Sequence, residues 1–161
     1  MRTSELQWHM RSALEQAEKA YKQDEVPVGA LIINDFGDVI SVAHNEKEQN
    51  HDPVGHAEIL AIQRAAKKLG GWRLSGHTLI VTLEPCPMCL AAMVQARVSH
   101  CVFGAYDAKG GALSLGFNLN SDSRLNHQFS IMGGIVHWEC SNILSRYFKE
   151  KRQVYKMKRK A

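Results

Sequence analysis

Residues 77–104 read HTLIVTLEPCPMCLAAMVQARVSHCVFG, and this stretch decides the fold. HTLIVTL (77–83) and SHCVFG (99–104) are short runs rich in β-branched and apolar residues, which predicts two strands. Between them Pro85 opens a helix over CPMCLAAMVQAR, because a first turn does not need the backbone N–H that proline lacks. Strand, crossover helix and strand imply a parallel pair.

Upstream, Asp52-Pro53 predicts a second helix, capped by Asp52, running through AEILAIQRAAKKL to a stop at Gly70-Gly71. VGALIIN (28–34) and VISVA (39–43) flank Asp35-Phe36-Gly37-Asp38, a hairpin signal. Leu6, Met10, Ala13, Leu14, Ala17 and Tyr21 recur at helical spacing, which predicts an amphipathic helix over 4–22 with a Ser4–Gln7 capping box. Downstream, residues 105–126 are rich in Gly, Ser and Asn and predict no regular element. QFSIMGGIVHW (128–138) holds one more strand, and the last helix covers at least residues 139–150. The expected fold is three-layer α/β/α, a mixed sheet of about five strands with helices on both faces and the hairpin adding antiparallel strands at one side. Sites in such sheets lie at strand carboxyl ends, near helix N-termini.

The chain of 161 residues fits one domain, 1–161, with a basic C-terminal helix or tail from about 146. Its 45% hydrophobic and 22% charged residues are ordinary globular values and exclude a disordered, collagen-like or coiled-coil chain. No apolar run approaches the roughly 18–20 residues of a membrane span, and MRTSELQWHMRSALEQ lacks a signal-peptide core, so a cytoplasmic protein is expected. Residues 146–161 hold eight Lys/Arg against one acid, Glu150; residues 1–145 hold twelve basic against fifteen acidic. Such a tail suits a polyanionic partner; a solubilising end is the plainer reading.

Two segments carry chemistry: His56-Ala57-Glu58 and Pro85-Cys86-Pro87-Met88-Cys89. Alone, His-x-Glu is weak, and a single histidine there more often has a structural role. Cys-x-x-Cys among only four cysteines, without a secretory signal, points to metal or redox chemistry. Cys101 and Cys140 lie in apolar segments and read as buried, inert thiols. On a helix Cys86 and Cys89 share a face, and a helix N-terminus favours the thiolates that zinc accepts. One His and two Cys give three ligands, the number a catalytic zinc site uses to keep a position for water. His51 or His44 as a fourth ligand would make the site structural instead. A thioredoxin-like thiol pair is a further alternative, which leaves His56 and Glu58 unexplained. Two thiolates cancel the zinc charge, so the water needs a nearby base, and Glu58 fits. Positions 56 and 58 point about 200° apart on a helix, so both face one metal only in an irregular first turn.

The His-Ala-Glu triplet with Pro-Cys-x-x-Cys resembles the zinc-dependent nucleoside and base deaminases. EVPVGA (25–30), His44-Asn45, DPVGHAEI (52–59), VTLEPCPMC (81–89), VFGAYDAKGGA (102–112), Asn126-His127 and the basic end with Arg146-Tyr147-Phe148-Lys149 resemble the tRNA-specific adenosine deaminases of bacteria. Gly55 and Tyr106 depart from residues common there. The resemblance implies a cytidine-deaminase-like fold and hydrolytic conversion of wobble adenosine to inosine. It implies one Zn2+ per chain held by His56, Cys86 and Cys89, with Glu58 moving protons. It further implies substrate contacts from Asn45, Val28, Ala57, Asp107 and Phe148, phosphate contacts from Lys149, Lys151 and Arg152, a tRNA anticodon stem-loop as partner, and a homodimer. Two other functions stay open: a small-molecule deaminase of cytosine, deoxycytidylate or guanine, and a non-catalytic RNA-binding module stabilised by zinc.

Overall fold

The structure, a computed structural model, describes residues 2–159. Lys160 of the predicted basic end lies outside the described residues, as do Met1 and Ala161. The order is α1 (Thr3–Lys22), β1 (Gly29–Ile33), β2 (Val39–His44), α2 (Lys47–Asn50), α3 (Ala57–Leu69), β3 (Thr78–Leu83), α4 (Pro87–Ala96), β4 (His100–Ala105), a 3-10 turn (Leu119–Ser121), β5 (Ser130–Met132) and α5 (His137–Lys158).

The five strands form one mixed sheet in the order β2-β1-β3-β4-β5. The β1–β2 hairpin and the β1–β3 pair are antiparallel; β3–β4 and β4–β5 are parallel. Gly37 closes the hairpin at φ +87°, a conformation that needs glycine. Side chains alternate between two cores, as a two-sided sheet requires. Ala30, Ile32, Leu79, Val81, Cys101 and Phe103 pack against Ala57, Ala61 and Ala65 of α3 and Leu90 and Met93 of α4. Leu31, Ile33, Ile80 and Val102 pack on the other face against Leu6, Met10 and Ala13 of α1 and Cys140 of α5. A side chain at Gly29 would collide with the Ala13 carbonyl, so α1 lies directly on β1. This is the expected three-layer α/β/α fold. Cys101 and Cys140 are buried free thiols, one in each core.

Several boundaries differ. The Ser4–Gln7 capping box is not formed: α1 starts at Thr3, and Glu5 accepts the Arg2 backbone N–H at 2.9 Å. Asp52-Pro53 does not open a helix. Asp52 Oδ1 accepts the Val54 N–H at 2.9 Å in a local turn, and α3 begins only at Ala57. Within 128–138 the strand covers only Ser130–Met132, and α5 starts two residues early, at His137, and continues through the basic end to Lys158.

The topology sets where ligands bind. β3 and β4 run together, and β1 runs against β3, so the carboxyl ends of β3 and β4, the start of β1 and the end of β2 share one edge. The segments that follow or precede them there are residues 26–28, 45–56, 84–86 and 106–114.

Candidate metal and active site

His56 and Cys86 occupy the residue before α3 and α4 respectively, both with extended backbone (φ −78°, ψ 146° and φ −72°, ψ 167°). That resolves the 200° difficulty: His56 is not helical, so its ring need not follow the helical rotation to Glu58 in the first turn. It also corrects the expectation for the cysteines. Cys86 precedes the helix, and Cys89 is its third residue. A cap side chain reaches the third residue of its helix, the relation used in a capping box, so the two sulfurs still meet. Pro87 at the first helical position fixes this start.

His56 Nδ1 lies 3.6 Å from Cys86 Sγ and 3.5 Å from Cys89 Sγ. A tetrahedral zinc with S at about 2.3 Å and N at about 2.0–2.1 Å separates such atoms by about 3.6 Å. The donor set therefore fits zinc. Among the described residues no other His, Cys, Asp or Glu joins this group. His44 Nδ1 sits 3.0 Å from the Asn45 carbonyl, and His51 is exposed at the end of α2, so neither closes the site. Glu58 stands beside the group, buried to 4% exposure.

The charges are coupled. Hydrogen bonding from the Cys89 thiol, and from His56, holds Cys86 down at about 4. The same contact and burial push Cys89 far up. Burial pushes the Glu58 carboxyl up to about 7, partly offset by its own backbone N–H and by His56. His56 is raised by its contact with Cys86.

A cavity of about 260 Å³ opens onto this group, lined by Val26, Val28, Asn45, Lys47, His56, Glu58, Leu83, Glu84, Cys86, Asp107 and Gly110. Asn45 Oδ1 accepts the Ala57 N–H at 2.9 Å, which satisfies the start of α3 from another segment and fixes the orientation of the amide. Its NH2 is the end left for a ligand. Asp107 Oδ1 accepts the Lys109 and Gly110 N–H groups at 3.0 and 3.1 Å, a loop turn rather than a helix cap. Val28, Asn45 and Asp107 thus line the cavity. Ala57 does not: it is fully buried in the core beneath. Phe148 does not either; it lies along α5 in a separate surface cleft with Lys151 and Arg152. Lys151 pairs with Asp24, Arg146 pairs with Glu18 at 3.0 Å, and Lys149 and Arg152 are exposed.

Sequence reasoning missed Glu84. Its buried carboxylate accepts the Asp107 N–H (2.9 Å), the Ser114 N–H (2.8 Å) and the Ser114 hydroxyl (2.7 Å). A side chain at Gly111 would collide with it. Glu84 therefore draws the 107–114 loop over the cavity. An acid at the end of an apolar strand was the available signal, since a buried carboxylate requires donors.

The deaminase model described as MafB19-like matches residues 3–151. The tRNA-specific adenosine deaminase of Bacillus subtilis (strain 168) is 47% identical over 153 residues, 94% of each chain. The chain belongs to the tRNA-specific adenosine deaminase family. A structure solved in a study of A-to-I editing by tRNA:A34 deaminases at the wobble position superposes with a TM-score of 0.79 at 41% identity, over 84% of this chain and 97% of that one. A guanine deaminase from Bacillus subtilis gives a TM-score of 0.58 at 34% identity, over 67% and 68%. The nearer likeness is thus to tRNA-specific adenosine deaminases.

The loop held by Glu84 forms one wall of the cavity through Asp107 and Gly110. Glu84→Gln faces an NH2 toward a donor, and each unmet buried donor costs about 1–3 kcal/mol. The expected result is a lower urea midpoint and a raised KM, with zinc content unchanged. Unfolding curves, substrate titration and metal analysis check it.

Proposed function

We propose that this chain converts adenosine to inosine by hydrolysis at the wobble position of a tRNA anticodon, using one zinc per chain. The observation that carries this reading is the three-donor group His56, Cys86 and Cys89, with buried Glu58 beside it, at the floor of a cavity suited to one base. A zinc ion held by these donors supplies Lewis-acid activation of water at neutral pH. Glu58 relays both protons of that water in turn: the first to ring N1 as the water oxygen bonds to C6, the second to the amino group as the C6–N bond breaks, so adenosine and water become inosine and ammonia and the carboxylate is regenerated. Asn45 offers its NH2 to an acceptor on the base, and Val28 packs against the ring. Asp107 faces the sugar. An anticodon loop is single-stranded, so its base enters such a cavity at low unstacking cost.

The partner is read from α5. Phe148, Lys149 and Arg152 are exposed along it and suit phosphates and a loop base, whereas Lys151 is tied to Asp24. A homodimer belongs to the same proposal, its face the apolar cleft between α3 and α4 at Ile59, Ile62, Ala66 and Trp72, because both helices begin at the metal group. No described helix is long and apolar enough to cross a membrane, and we read one cytoplasmic domain over 1–161.

One experiment tests the reading. The zinc-loaded protein is incubated with an anticodon stem-loop carrying wobble adenosine, and separately with cytosine, deoxycytidylate and guanine. Inosine in the RNA alone is expected, with affinity falling steeply as salt rises because cations on α5 meet phosphate. Turnover of a free base instead would transfer the chain to the small-molecule reading, and RNA binding without turnover to the binding-module reading. Sedimentation of the same sample at twice the chain mass is expected.

A further inference from the structure

Tyr106 follows β4 and immediately precedes Asp107, whose side chain lines the cavity. It is 58% exposed, and its ring stands edge-on to buried Phe103 at 5.0 Å and 87°. The His137 ring lies 6.0 Å from it, and the Trp138 ring 5.9 Å from His137. Trp138 is 84% exposed and so adds little to the core. Three rings are therefore successive neighbours, from Tyr106, next in sequence to cavity-lining Asp107, to the first two residues of α5. The backbone is strained to place them: Val136, the residue before α5, sits at φ +55°, an outlier for a β-branched side chain. Exposed Lys109 lies on the same rim loop as Asp107.

We propose that this strip is a stacking platform for the nucleotide next to the target base. The proposal rests on the RNA reading above and names a surface for that substrate. A base drawn into the cavity leaves its neighbour without a stacking partner, and an aromatic ring at the rim replaces it. Aromatic faces serve any base, since every base has a π-face. A row of neighbouring rings, its first member adjacent in sequence to cavity-lining Asp107 and three residues before exposed Lys109, suits a nucleotide chain, which offers both bases and phosphates.

Tyr106→Ala and Trp138→Ala are compared with Tyr106→Phe, which keeps the ring. Trp138 is so exposed that its replacement leaves the fold intact. Substrates are the wobble-adenosine stem-loop and two versions in which the nucleotide 5′ or 3′ of the target lacks its base. Each alanine variant is expected to raise KM for the intact stem-loop roughly tenfold, with kcat within about twofold of the unmutated protein. Tyr106→Phe is expected to match the unmutated protein. The alanine penalty is expected to vanish on one of the two abasic RNAs. Unchanged KM in both alanine variants, or a penalty that persists on both abasic RNAs, overturns the platform while the RNA reading stands. An unmutated protein that makes no inosine in any stem-loop overturns the reading and the platform together.

Discussion

Glu58→Ala is expected to lower deamination by about a thousandfold or more while zinc stays near one per chain. Glu58 is outside the three-donor group, so its removal takes no ligand from the metal. It is buried beside that group, and burial raises its carboxyl above the ordinary carboxylate range, toward the neutral pH at which a group can both take and give protons. A single general acid–base group typically contributes 10²–10⁴-fold, and here the water, ring and ammonia transfers all use the same carboxyl. Glu58→Gln keeps the shape and loses the proton transfers, so its loss should match that of the alanine variant. Neither change should lower the melting temperature sharply, because no ion pair to Glu58 exists among the described residues and burying a carboxyl is unfavourable in itself. Product formation from the stem-loop and metal analysis of the same preparations decide this. Activity near that of the unmutated protein would remove Glu58 from the chemistry, and loss of zinc along with activity would make it a ligand instead.

The metal group was legible because its residues are chemically rare and sit at strand-to-helix junctions, where topology brings segments 30 residues apart to one edge. What the residues could not convey was how each junction is built. Helical spacing put Cys86 inside a helix and opened the preceding one at Asp52. The structure ends the irregular backbone later, at Ala57, because Asn45 supplies the capping oxygen from a different strand. That is a tertiary bond, and no local rule reports it. The 105–126 region looked featureless for the same reason. Its order near the cavity comes from Glu84, whose three donors come from residues 23 and 30 positions away. Ala57 shows the opposite limit: it falls within a segment that resembles the family, but position in a motif does not say which way a side chain faces, and Ala57 turns into the core.

Cys89→Ser should be the more damaging of the two cysteine changes. Both Cys86→Ser and Cys89→Ser leave only two of three donors, and a hydroxyl is a poor zinc ligand, so each variant should lose most of its metal and fall to background activity. The stability effects separate them. Cys86 is half-buried ahead of α4, where a serine is an accepted helix cap. Cys89 is fully buried among Ala57, Ala61 and Met93 in the larger core. His56 remains beside a hydroxyl there, but the smaller, more polar oxygen fills the packed core less well than sulfur, which costs about 1 kcal/mol beyond the loss of the metal. Removing zinc from the unmutated protein with a chelator should lower the urea midpoint too, because binding that exists only in the folded state stabilises it. Cys86→Ser should resemble the chelated protein, and Cys89→Ser should fall below it. A serine variant that keeps one zinc per chain and full activity would mean that another side chain completes the site. The open coordination position, and with it the hydrolytic reading, would then fail.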